Sequence, residues 1–77
     1  MNALFSVLNT ASKAVIEEFD IDLGEDTERL AEYGVVAAEI AGGDVVEFGP
    51  EEAAGFAEDF GFEVSAPAGY SAKLSKA

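Results

Sequence analysis

The sequence contains no cysteine and no histidine. Without cysteine there is no disulfide framework and no thiolate for nucleophilic or metal chemistry. Without histidine the usual general base near neutral pH is missing, together with Ser-His-Asp and Cys-His arrangements and the common zinc sites. Bases are scarce as well: four Lys and Arg stand against sixteen Asp and Glu, a formal net charge of −12 at pH 7. That imbalance disfavours nucleic acid and anionic membranes as partners and favours a basic protein surface. No stretch approaches the roughly 20 apolar residues of a membrane span, and the start, Met1 to Phe5, lacks the basic residues and apolar run of a secretory signal. The expectation is a soluble protein of the cytoplasm, which would be a host cell's if the chain is encoded by a phage.

What is present is a hydrophobic chain. Of its 77 residues 49% are apolar, including six Phe and two Tyr, which is too much for the low-hydropathy signature of intrinsic disorder. The length leaves room for one core, so a single domain over 1–77 is expected. A chain this short buries only about 60% of its unfolded surface, which places its stability near the low end of roughly 5–15 kcal/mol. All sixteen carboxylate side chains fall between Glu17 and Glu63, where Arg29 is the sole base.

Four segments follow along the chain. In 1–19, Leu4, Leu8, Ala11, Val15 and Phe19 recur at steps of three and four, which predicts a long amphipathic N-terminal helix. Segment 20–32 reads as an acidic loop with a short helix through Arg29, Leu30 and Ala31, capped by Asp26 or Thr27. Segment 33–66 reads as hairpin, helix and strand. Leu30, Tyr33, Ala37 and Ile40 would share a helix face, but Gly34 and the adjacent valines favour a strand with Val36, Ala38 and Ile40 on one side. Gly42-Gly43-Asp44 then turns the chain, and Val46 and Phe48 return as the inward side of the hairpin partner. Gly49 at the N-cap, Pro50 in the first turn and Gly61 past the end delimit a helix that buries Ala53, Phe56, Ala57 and Phe60. Phe62, Val64 and Ala66 alternate with Glu63 and Ser65 as a further strand ended by Pro67, and 67–77 is a tail or an edge strand. The expected architecture is α+β, with helices packed on one face of a small antiparallel sheet.

Motifs for chemistry are weak. Asp20-x-Asp22-x-Gly24 starts like a calcium loop, yet Glu25 stands where the loop glycine belongs and Ala31 where its closing glutamate belongs, so no metal site is expected. Val15 to Leu23 resembles the end of the second helix and the following loop of acyl carrier proteins. That family's Asp-Ser-Leu attachment motif has no counterpart here, and no functional residue or cofactor follows from the resemblance. Gly42-Gly43 lacks the context of a phosphate cradle. Paired carboxylates alone do not make an active site in a chain too short for a deep cleft, and no enzyme is expected.

The charge itself remains as the candidate for function. A solvated surface ordinarily mixes both signs, whereas this one is almost purely acidic. The expected partner-binding residues are Glu17, Glu18, Asp20, Asp22, Glu25, Asp26 and Glu28 in the acidic segment, and Glu51, Glu52, Glu58 and Asp59 on the helix that starts at Pro50. They would stand in for nucleic-acid phosphates and block a basic nucleic-acid-binding protein, as a non-enzymatic inhibitor. The alternative is a small assembly subunit that self-associates through its apolar N-terminal helix, at Leu4, Leu8 and Val15, or through a sheet edge.

Overall fold

A computed structural model describes residues 1–77. The elements run β1 (Asn2–Leu8), β2 (Val15–Asp22), α1 (Thr27–Ala31), α2 (Ala37–Ala41), β3 (Val46–Phe48), α3 (Pro50–Phe60) and β4 (Ser71–Lys76). The four strands form one antiparallel sheet in the order β2-β1-β4-β3, so the fold is mixed α+β. No helix is long and apolar enough to cross a membrane.

The long N-terminal helix does not exist; 1–19 is most of a β-hairpin. A spacing of four is common to one helix face and one strand face, so Leu4 with Leu8 and Val15 with Phe19 fit either period. Asn9 decides between them. Its side-chain Oδ1 accepts the N–H groups of Ala11 and Ser12, both at 3.0 Å, and its C=O accepts Lys13 N–H at 2.7 Å. Lys13 completes the reversal in the left-handed region at φ 63°. Once the chain folds back, the core side of β1 is the alternating Ala3, Phe5 and Val7, with Ile21 opposite Ala3; Ser6 and Leu8 are buried too, while Ala11 and Val15 are exposed.

The expected hairpin of 33–41 with 45–48 is also absent. Ala37–Ala41 is the short helix α2, separated from α1 by Gly34 at φ 73°, and Leu30 and Ile40 are fully buried while Tyr33 and Ala37 are half-buried. The helix-face grouping of these four residues is the one realised. Val46, Glu47 and Phe48 do form a strand, but its partner is β4. The C-terminal stretch is therefore neither tail nor edge: β4 lies between β1 and β3 and buries Ala72 and Leu74. Segment 62–66 keeps its alternation of half-buried and exposed residues yet joins no strand ladder.

Helix α3 has the expected bounds. Gly49 is the extended N-cap, Pro50 opens the helix, and Gly61 ends it at φ 73°. Ala53, Phe56 and Ala57 are buried. Phe56 is the hub of the core: its ring lies 4.8 Å from Phe5, 5.0 Å from Phe48, 4.3 Å from Phe60 and 4.9 Å from Tyr33. All three helices bury side chains in this core, against Phe5, Val7, Ile21, Phe48, Ala72 and Leu74 of the sheet. No helix packs on the opposite sheet face, which carries Leu4 of β1, Lys73 of β4 and Glu47 of β3 together with Ser6 and Leu8 of β1, both of them buried.

Candidate acidic partner-binding surface

None of the sixteen carboxylates is buried, but they do not share one surface. Alternation along β2 separates them. Phe19 and Ile21 face the core, so Glu17 does as well, and Glu18, Asp20 and Asp22 project from the open sheet face. These three stand about 6.8 Å from one to the next, two residues of an antiparallel strand. Glu47, across from Lys73, adds a fourth acid to the same face.

The second group lies in the helical layer. Glu51 and Glu58 are seven residues apart, as are Glu52 and Asp59, so each pair is spaced by about 10.5 Å along α3. Near the C-terminal end of α3, α1 brings in further acids. Arg29 Nη1 donates to Asp59 O at 3.2 Å, its guanidinium lies 5.4 Å from the centre of the Phe60 ring, and the Tyr33 hydroxyl donates to Asp59 Oδ2. That contact, reinforced by desolvation and by the charges of Asp59, Glu32 and Glu58, pushes the Tyr33 phenol up to about 12. Glu25, Asp26, Glu28 and Glu32 surround Arg29 in a cleft of about 300 Å³.

Three of the expected residues have structural work that sequence reasoning did not assign. Glu17 Oε1 accepts the N–H groups of Ser65 and Ala66 at 2.7 and 3.1 Å, which ties segment 62–66 across the core side of β2. Above that tie Phe62 stacks on Phe19 at 4.7 Å. Asp22 Oδ1 accepts Gly24 N–H at 2.8 Å and Glu25 N–H at 3.2 Å, which forms the turn out of β2. Asp59 is the docking point for α1. Asp26 occupies the N-cap of α1 without a side-chain capping bond. Glu18, Asp20, Glu28, Glu51, Glu52 and Glu58 are exposed and free of such roles. Glu32 and Glu47 belong to these surfaces too: Glu32 follows the short helix α1 that the sequence indicates, whereas the place of Glu47 depends on a β3–β4 pairing that local patterns do not define.

No three acidic side chains converge as a metal-ligand set. Of the other clefts, one of about 280 Å³ lies between Asn9–Ala11, Ile16 and Pro67–Tyr70, and one of about 480 Å³ lies against Gly49, Pro50, Glu51 and Glu52 at the start of α3. Compared with protein families, with characterised proteins and with solved structures, the chain matches none of them.

Proposed function

We propose that this protein is a non-enzymatic inhibitor that presents carboxylates in place of nucleic-acid phosphates and occludes the basic groove of a nucleic-acid-binding protein. The observation that carries the reading is the placement of exposed acids on rigid elements at regular intervals. The roughly 6.8 Å step along β2 is two of the about 3.4 Å rises between phosphates of one DNA strand, and the roughly 10.5 Å step along α3 is about three. Lys and Arg side chains of the partner would meet these acids as they meet phosphates, with release of counterions and electrostatic steering. The setting that fits a small protein of this kind is a phage or mobile element acting on a host defence or transcription complex.

The helical layer supports this use more strongly than the sheet face. Glu51, Glu52 and Glu58 lie along α3, and Glu25, Glu28 and Glu32 stand around Arg29, which docks at the C-terminal end of that helix, so the layer carries one base among these acids. The competing idea of self-association through an apolar N-terminal helix loses its element, because Leu8 is buried in a hairpin strand. Affinity purification from a host lysate at low salt, eluted on a salt gradient, tests the proposal. The expected outcome is a basic nucleic-acid-binding protein that DNA or RNA displaces, with affinity falling about tenfold or more between 50 and 200 mM salt. Recovery of only acidic or neutral partners, or binding indifferent to salt, would sink it.

A further inference from the structure

β2 is an edge strand of eight residues, paired on one side only. The ladders on β1 define which of its backbone groups face outward. Leu23 N–H donates to Met1 O at 3.0 Å, and Ala77 N–H donates to Asn2 O at 3.2 Å on the other side of β1. Bonded and non-bonded pairs alternate along an antiparallel ladder. The bonded pairs toward β1 are therefore Ala3 with Ile21, Phe5 with Phe19 and Val7 with Glu17, and the N–H and C=O groups of Glu18 and Asp20 point away from the sheet. No turn, loop or cap hydrogen bond uses the backbone of either residue. The free stretch ends at Asp22, whose C=O accepts Asp26 N–H at 3.1 Å, and at the irregular pairing that sets Leu8 opposite Val15.

The two residues with free edge groups are also those whose carboxylates stand on the open sheet face. Charge on an edge protects it against neutral and acidic strands. A basic strand is the exception. A second copy of this chain is not the complement, since an antiparallel pair of β2 strands would set Glu17, Glu18, Asp20 and Asp22 against the same four acids. The other edge, β3, carries Glu47; on β4, Lys73 has a neighbour on each side, and Lys76 lies past the three residues that β3 pairs with, leaving only the last residues of β4 without a second partner.

We propose that the β2 edge accepts an extended segment of the basic partner as a fifth, antiparallel strand, with Lys or Arg beside Glu18 and Asp20 and apolar residues alternating toward Phe19. The inference rests on the acidic surface being the partner-binding one and adds a docking mode. Main-chain pairing supplies affinity, and the alternating charges select the sequence. Residues directly opposite in an antiparallel pair share a face, so the arginines that meet Glu18 and Asp20 are also the residues whose N–H groups turn toward β2.

The probe is a synthetic peptide of about the length of β2 that alternates arginine and valine, beside the same peptide N-methylated at its arginines. With the whole protein at low salt, binding of the unmodified peptide is expected to slow amide exchange at Glu18 and Asp20 about tenfold or more. Phe19 and Ile21, already bonded to β1, should change little. The N-methylated peptide keeps its charge but loses the pairing, and is expected to bind about tenfold more weakly. The double variant E18K/D20K, altered only at exposed positions, should weaken the unmodified peptide by a similar factor. Equal affinity of the two peptides, or no slowing at Glu18 and Asp20, overturns strand addition and leaves the acidic-surface reading standing. Undiminished binding to E18K/D20K overturns the charge selection. Failure of both peptides to bind at low salt overturns this inference and the proposed function together.

Discussion

Glu17 and Glu18 are the same residue type at adjacent positions, and the pleat of β2 gives them opposite consequences. Glu17 holds two backbone N–H groups of segment 62–66, whereas Glu18 projects from the open face. Glu17→Ala removes two hydrogen bonds whose donors are within reach of water and is expected to cost about 1 kcal/mol, read as a lower urea midpoint. Glu18→Ala, by contrast, should stay within about 0.5 kcal/mol of the parent. Tyr33 provides a test by pH. Its phenol, pushed up to about 12 chiefly by the hydrogen bond to Asp59, holds its proton more tightly folded than unfolded, where tyrosine titrates near about 10. The stabilisation is therefore complete below about pH 10 and is lost as pH rises toward about 12. In Tyr33→Phe that alkaline loss should shrink, and the phase of highest pH should vanish from the phenolate absorbance titration. An unchanged alkaline unfolding profile would show that the Asp59 contact contributes nothing.

Elements differ in how far local chemistry defines them. Helix α3 was legible because its start and stop are local: Gly49 and Pro50 suit the first turn, and Gly61 takes a left-handed conformation that other residues adopt at a cost. The hairpin β1–β2 was not, because a four-residue spacing serves helix and strand alike and the turn rests on one Asn9 side chain. Segment 62–66 alternates like a strand for a different reason, since it lies over the core side of β2 and is pinned by Glu17. α3 and β1 are joined through the stacked rings of Phe56 and Phe5. Phe56→Ala opens a cavity at that junction and should cost about 3–5 kcal/mol. With a total near the low end of the usual range, about 5 kcal/mol, that leaves at most about 2 kcal/mol, so the thermal midpoint should fall steeply. A midpoint that hardly moves would mean that the core does not hinge on this ring.

At the scale of the whole molecule, sixteen acids on a body of 30 × 22 × 18 Å repel one another through solvent. Screening at a Debye length of about 8 Å in physiological salt relieves much of that repulsion, compared with about 30 Å at 0.01 M. Raising NaCl from low to physiological strength should therefore raise the urea midpoint while the m-value stays constant. The same change should weaken attachment of a basic partner. Opposite responses of stability and binding to salt are the behaviour of an acidic surface kept for binding; a stability indifferent to salt would count against the repulsion.

The amino-acid sequence by itself determined the charge, the absence of thiol and imidazole chemistry, the bounds of α3 and the apolar residues available to the core, because these depend on residue identity or on contacts within a few positions. It also placed the acids in the middle of the chain. Only the tertiary structure decided which of them act together. Pairing of β1 with both β2 and β4 sent Glu18 and Asp20 to the sheet face that no helix covers, turned Glu17 inward as a tie, and put Lys73 on a strand between two others. Those outcomes depend on partners far apart in the chain, such as Ala3 and Lys76, which pair in neighbouring strands across 73 positions. A period of two or four residues carries no information at that distance.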